Sequence, residues 1–243
     1  MQNNGDVKIL GSGECGGGIY NEVKICGSGD IKGDIQCNEL KILGAGDVSG
    51  NVKAKEIKIS GALDIDGNIE GENVSVSGAL DIKGDINCNY FKIAGAIDVD
   101  GNTKAEKIEL KGAAEISGNC EAETFTSSGV FEIGGMLNAG DIIIKLKGKN
   151  TVEEIGGEKI EVIRNSDTTF GKIFKFSIAF GSGPSKLECQ TIEGDDIYLE
   201  YTKAETVRGK KIVLGEGCHI ENIEYSESFN MSKDSKAESI KQI

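Results

Sequence analysis

Leu40-Lys41-Ile42-Leu43-Gly44-Ala45-Gly46-Asp47-Val48-Ser49-Gly50-Asn51-Val52-Lys53-Ala54-Lys55-Glu56 is followed at once by a second copy of its own pattern. That copy begins Ile57-Lys58-Ile59-Ser60-Gly61-Ala62-Leu63-Asp64-Ile65-Asp66-Gly67-Asn68. Working outward, the unit starts again at Val23, Val74, Phe91, Ile108, Phe125 and Ile142, always seventeen residues on. A fixed period of this size means stacked units that share one core. Inside the unit, apolar and polar residues alternate with period two, which makes the units strands.

The columns of this repeat give one coil. Val23, Leu40, Ile57, Val74 and Phe91 form the first, and Ile25, Ile42, Ile59, Val76 and Ile93 the third. Between them stand Lys24, Lys41, Lys58 and Lys92, so two residues point in and one out. The ninth column (Ile31, Val48, Ile65, Ile82, Val99, Ile116, Ile133) is apolar, as is most of the thirteenth (Ile35, Val52, Ile69, Ile86, Leu137). Glycines fill the fifth column (Gly27 to Gly129) and the eleventh (Gly33 to Gly135), the latter followed by Asp34, Asn51, Asn68, Asp85, Asn102 and Asn119. Glycine with Asn or Asp is what a sharp turn at positive φ selects. Three short strands and three corners per coil predict an all-β, single-stranded β-helix of about twelve short coils. In the seventh column Leu63, Leu80, Ile97, Ala114 and Phe131 replace the earlier Gly29 and Gly46. The early units instead carry Leu10, Cys26 and Leu43 in the fourth column. Constant core volume predicts that these three fill the core across the glycine corner; an exposed apolar stripe touching lipid or a partner is the alternative.

The seventeen-residue phase fails near Ile142, but one corner, apolar-x4-apolar-x-apolar, persists. It returns at Ile155, Ile160 and Val162, at Ile192, Ile197 and Leu199, and at Val207, Ile212 and Leu214. The expected organisation is a short tail over 1–6, regular coils over 7–144, irregular coils or a projecting strand over 145–186, irregular coils over 187–228 and a polar tail over 229–243. The 145–186 segment holds Phe170, Phe174, Phe176, Phe180 and Pro184, the chain's single proline. Its four phenylalanines are a candidate partner surface.

A net charge of −13 excludes nucleic-acid binding, which needs a basic stripe. The first residues lack a charged segment followed by an apolar one, so no signal peptide is expected. No stretch reaches ~20 apolar residues, so no transmembrane segment is expected either. The seven cysteines show no C-x-x-C pair. Cys37 and Cys88 share a column three coils apart, roughly 14 Å, too far for a disulfide. Reduced thiols serving as small core residues fit a cytoplasmic protein.

The site chemistry is sparse. The acidic column Asp30, Asp47, Asp64, Asp81, Asp98, Glu115 and Glu132 could attract calcium, but it reads as a solvated ladder. His219, the single histidine, follows Cys218 and reads as an ordinary residue of a late coil. Hexapeptide acyltransferases are also β-helical, with a period of about eighteen and a catalytic histidine; the seventeen-residue period and the late histidine argue against them. No G-x-x-x-x-G-K-[ST] loop occurs. No catalytic, cofactor-binding or metal-binding residues are expected, and the chain reads as a non-enzyme.

The repeated lines Gly29-Asp30-Ile31-Lys32-Gly33-Asp34-Ile35, Ile155-Gly156-Gly157-Glu158-Lys159-Ile160 and Ile192-Glu193-Gly194-Asp195-Asp196-Ile197 resemble the bactofilins, bacterial polymer-forming cytoskeletal proteins, in a Firmicutes-type branch. The resemblance covers about residues 7–225. It implies a right-handed β-helix that polymerises end to end without nucleotide. It also implies that the chain's main partner is itself, with other family members or cell-envelope or motility proteins beside it; peripheral membrane contact is left open. End coils expose unpaired backbone groups that invite another chain. Val7, Ile9, Val23 and Ile25 at one end, and Ile220, Ile223 and Tyr225 at the other, are the candidate self-association residues. The alternative is a non-polymerising β-helical module that binds a protein through the 145–186 segment.

Overall fold

The computed structural model describes residues 5–164 and 185–243. The described residues form twenty strands and no helix, wound as a parallel β-solenoid. The chain divides into two units, Met1–Ala122 and Glu123–Ile243.

In the first unit the coils from Leu40 onward each contribute one short strand and one long one, whereas β4 (Ser28–Ile42) runs through its corner as a single strand. β5 (Ala45–Val48), β7 (Ala62–Ile65), β9 (Ala79–Ile82), β11 (Ala96–Val99) and β13 (Ala113–Ile116) are the short ones. β6 (Val52–Ile59), β8 (Ile69–Val76), β10 (Ile86–Ile93) and β12 (Thr103–Leu110) are the long ones. Pairing is parallel and strictly in register: Leu40↔Ile57, Ile57↔Val74, Val74↔Phe91 and Phe91↔Ile108. Each column thus stacks on itself, and first-column residues such as Val23, Leu40, Ile57 and Phe91 are wholly buried. Two strands per coil replace the three expected. The third corner lies inside the long strand: in β6, Val52, Ala54, Ile57 and Ile59 are buried, while Lys55 and Glu56 both face outward. The alternation slips there by one residue, and the strand bends without breaking. The first step differs from the rest, with β1 (Val7–Ile9) pairing to β3 (Glu22–Ile25) through Val7↔Val23, sixteen residues apart.

The glycines are there for a reason the sequence reading did not give. Among the described residues positive φ is confined to Gly5, Gly18, Gly33, Gly217 and Tyr201, so the other corner glycines are not selected by backbone angle. A Cβ at Gly61 or Gly78 would overlap the carbonyl oxygen of Gly44 or Gly61 one coil below. Close stacking therefore requires glycine at these positions. The Asn/Asp column is likewise more than turn chemistry. Each Oδ1 accepts the backbone N–H of the same column one coil on: Asp34 from Asn51 at 2.7 Å, Asn51 from Asn68 at 2.9 Å and Asn68 from Asp85 at 2.8 Å. Asp85 accepts from Asn102 at 2.7 Å and Asn102 from Asn119 at 2.9 Å. This side-chain ladder satisfies N–H groups that leave the strand pattern at the corner.

Leu10, Cys26 and Leu43 do not fill the core. Leu10 is 76% exposed and Leu43 44%. The space above Gly29 is taken by the Ile9 and Ile25 side chains, which would stand 2.9 and 3.0 Å from an added Cβ. Ile25 and Leu63 do the same at Gly46. Neighbouring isoleucines reach into the gap, so the leucines are free to face outward.

The second unit uses longer strands that run through their corners. These are β15 (Val130–Leu146), β16 (Lys149–Arg164), β17 (Lys186–Leu199), β18 (Thr202–Leu214) and β19 (His219–Met231), with β20 (Lys236–Gln242) last. The persistent corner is real: Ile155, Ile160 and Val162, Ile192, Ile197 and Leu199, and Val207, Ile212 and Leu214 are all buried. One column passes from Leu137 through Ile155, Ile192, Val207 and Ile223 to Ile240, so successive steps differ in length while the register closes. Residues 229–243, expected as a loose polar tail, carry the end of β19 and all of β20. Two polar devices mark this unit. Buried Asn150 accepts the N–H of Phe131 at 2.9 Å and donates to the Gly148 carbonyl at 3.2 Å. Tyr201, at φ 45°, turns a corner with its ring 4.5 Å from the Arg164 guanidinium and its hydroxyl on Glu216.

Candidate self-association surfaces

β1 lies on β3, with Val7 against Val23 and Ile9 against Ile25. Val23 and Ile25 are therefore completely buried one rung inside, while Val7 is half-buried on the outer rung. In the second unit β20 lies on β19, with Ala237 against Ile220 and Ile240 against Ile223. Ile220 and Ile223, expected to be surface contacts, are buried beneath that strand. The apolar groups left outside on this last rung are Ile243, 59% exposed, Ile240, 47% exposed, and Met231, 41% exposed. Met231 follows Val162, Leu199 and Leu214 in one core column. Tyr225 stacks on Phe229 with ring centroids 5.7 Å apart. The sequence reading passed over Met231 and Ile240 because they sit among polar residues. Spacing held the signal: each lies seventeen residues after a core position, Leu214 and Ile223. Phe170, Phe174, Phe176 and Phe180 lie outside the described residues.

Register brings the acidic column together as expected, with Asp30, Asp47, Asp64 and Asp81 in consecutive pairs. Partial burial and the charges of Asp47 and Asp81 on either side push the Asp64 carboxyl above its usual range, and Asp98 is raised in the same way. Lysines relieve the ladder at intervals: Lys32 lies 4.0 Å from Asp30, and the charge of Lys83 pulls the Asp64 carboxyl back down in part. Among the described residues no group of three or more His, Cys, Asp or Glu side chains is placed to hold a metal ion.

Cys218 and His219 point to opposite faces of the chain, one buried and the other exposed, so they do not form a catalytic pair. Burial raises the Cys218 thiol, and its Sγ donates to the Leu199 carbonyl at 3.2 Å. Burial likewise pushes Cys37 up to about 11 and Cys88 up to about 12. These are inert packing thiols, not nucleophiles. All seven cysteines are free. Among the described residues no helix is long and apolar enough to cross a membrane.

Residues 55–138 match the family Bactofilin, described as polymer-forming cytoskeletal. The chain is 40% identical over 91 residues to the uncharacterized protein YhbF of Bacillus subtilis (strain 168), a match covering 37% of this chain and 34% of that protein. It is 37% identical over 105 residues to the uncharacterized protein YhbE of the same organism, covering 42% of this chain and 41% of that protein. The matches thus span about a third to two fifths of either relative's length. No solved structure matches the chain. Residues 55–138, stacked column on column, are thus the part of the chain that is similar to the bactofilin family, whose description is polymer-forming cytoskeletal.

Proposed function

We propose that this protein is a cytoplasmic scaffold that polymerises end to end, without nucleotide, through its outermost rungs. The observation that carries the reading is the exposure of Met231 and Ile240, two residues that continue buried core columns. A core column that emerges at the surface carries both apolar area and strand edges that another chain can pair with. The family description, polymer-forming cytoskeletal, supports the same reading. The contact set at one side is Val7, with Ile9 buried behind it; at the other it is Met231, Ile240 and the Tyr225–Phe229 pair. Val23, Ile25, Ile220 and Ile223 support those rungs from beneath.

Negative-stain microscopy of the purified chain in nucleotide-free buffer tests this. Filaments are expected, and they should be lost in Val7→Lys and in a Met231→Lys, Ile240→Lys double variant. Circular dichroism should show both variants still folded. Ile9→Pro, which also removes a strand donor, should disrupt assembly more than folding. Monodisperse particles at every concentration would overturn the proposal. Filaments that persist in all three variants would remove the terminal rungs as the contact.

A further inference from the structure

Three coils of the first unit share a substitution that the core does not explain. Where the seventh column is Gly13, Gly29 or Gly46, the fourth is Leu10, Cys26 or Leu43; where it is Leu63, Leu80 or Ile97, the fourth is Ser60, Ser77 or Ala94. The apolar group in these three coils faces outward, with Leu10 76% and Leu43 44% exposed and Cys26 half-buried between them. The hydrogen bonds Cys26 N–H to Ile9 O and Leu43 N–H to Ile25 O hold the three in line, one per coil, along a bend. On one side of the stripe run Lys8, Lys24 and Lys41, each two residues before it. On the other run Glu14, Asp30 and Asp47, each four residues after it. Lys8 pairs with Asp6 and Glu22, and Glu14 and Asp30 with Lys32, whereas among the described residues Lys24, Lys41 and Asp47 make no ion pair within the chain and are the charges left for a partner.

We propose that this stripe is a lateral seam at which a second copy of the chain lies side by side and parallel. The charges choose both the occupant and its direction. A two-fold axis running along the stripe sets the lysine column of each copy against the acidic column of the other. A two-fold axis across the stripe would set lysine against lysine. Opposed columns favour the first arrangement and penalise the second. In the parallel pair each residue of the stripe meets its own counterpart, Leu10 with Leu10, Cys26 with Cys26 and Leu43 with Leu43. The stripe is small, so a pair of isolated copies is held weakly. Resting here on the polymer reading above, the seam recurs with every subunit along a filament, and its contacts add.

Cys26 makes the seam measurable. The full chain at high concentration, without nucleotide, is treated with a short bismaleimide, resolved on a denaturing gel and imaged in parallel. A covalent dimer is expected from the native chain and should vanish in Cys26→Ser. Leu10→Cys in the Cys26→Ser background should restore it. Mixing differently tagged Leu10→Cys and Leu43→Cys chains in that background should give no heterodimer. Leu43→Glu, an exposed change that leaves folding intact, should cut the Cys26 product at least tenfold. Dimers without filaments uphold the seam and remove the end-to-end reading. Filaments without dimers do the reverse, and neither product removes both. A Leu10–Leu43 heterodimer overturns the parallel arrangement.

Discussion

From Val23 to Asn119 the solenoid holds one coil length, whereas from Leu137 to Ile240 it passes through steps of eighteen, thirty-seven, fifteen, sixteen and seventeen residues. The two stretches keep the same buried columns by different means. The first fixes its corners with glycines that have no room for a side chain and with the Asp34-to-Asn119 ladder. The second lets strands of thirteen to seventeen residues run through the bend, as the first does only at β4, and places side chains where the first has glycine. Leu146 stands four residues after Ile142, as Gly78 stands four after Val74, yet Leu146 is buried and tolerated. The difference shows that what a β-solenoid conserves is register, and that coil length is fixed only where the corner is made of backbone.

The comparison can be broken hardest at such a corner. Gly78→Val would drive its Cβ into the Gly61 carbonyl, so a loss of about 3 kcal/mol or more is expected in the denaturant midpoint. The second unit is most vulnerable at its polar core. Asn150→Leu leaves the Phe131 N–H without an acceptor, and equilibrium unfolding should show a loss of about 2 kcal/mol. A gain is expected at Thr103, which stands in the Ile35–Ile86 column of the first unit. Its Oγ1 is buried with no hydrogen-bond partner, so Thr103→Val should add about 1 kcal/mol. The smallest effect concerns the acidic column. The Asp64 carboxyl is raised in the folded state by partial burial and by Asp47 and Asp81. The charged form therefore weakens the fold above that raised value, and the penalty fades as pH falls through it toward 3.8. Asp64→Asn should raise Tm at pH 7 by about 1–2 °C, the effect being screened by solvent, and the gain should vanish near pH 4.

Much of this was legible from residue order alone. Two-residue alternation within a seventeen-residue period gave the strands, the parallel stacking and the buried columns. The apolar-x4-apolar-x-apolar corner carried the reading past Ile142 into irregular coils. What escaped were features that depend on neighbours in three dimensions. The outward turn of Leu10 and Leu43 follows from how far the Ile9 and Ile25 side chains reach over Gly29. The need for glycine at Gly61 and Gly78 is set by the distance to the next coil, not by a local backbone angle. The last rung was hidden by composition, since Ala237 and Ile240 lie among lysine, serine and glutamate. Phe170, Phe174, Phe176 and Phe180 remain candidates by sequence alone.

The Asp34-to-Asn119 ladder has a consequence for how such a chain changes length. Each rung of it gives an acceptor to the next coil and takes none from its own. Every unit from Leu40 to Tyr90 therefore presents the same plug on one side and the same socket on the other. Excising residues 57–73 would bring Val74 onto Leu40 and Asp85 onto Asn51, with each column and each donor still matched. Length in this stretch is thus an adjustable quantity counted in whole coils, and a gene could lengthen or shorten it while keeping every core column and ladder bond in register.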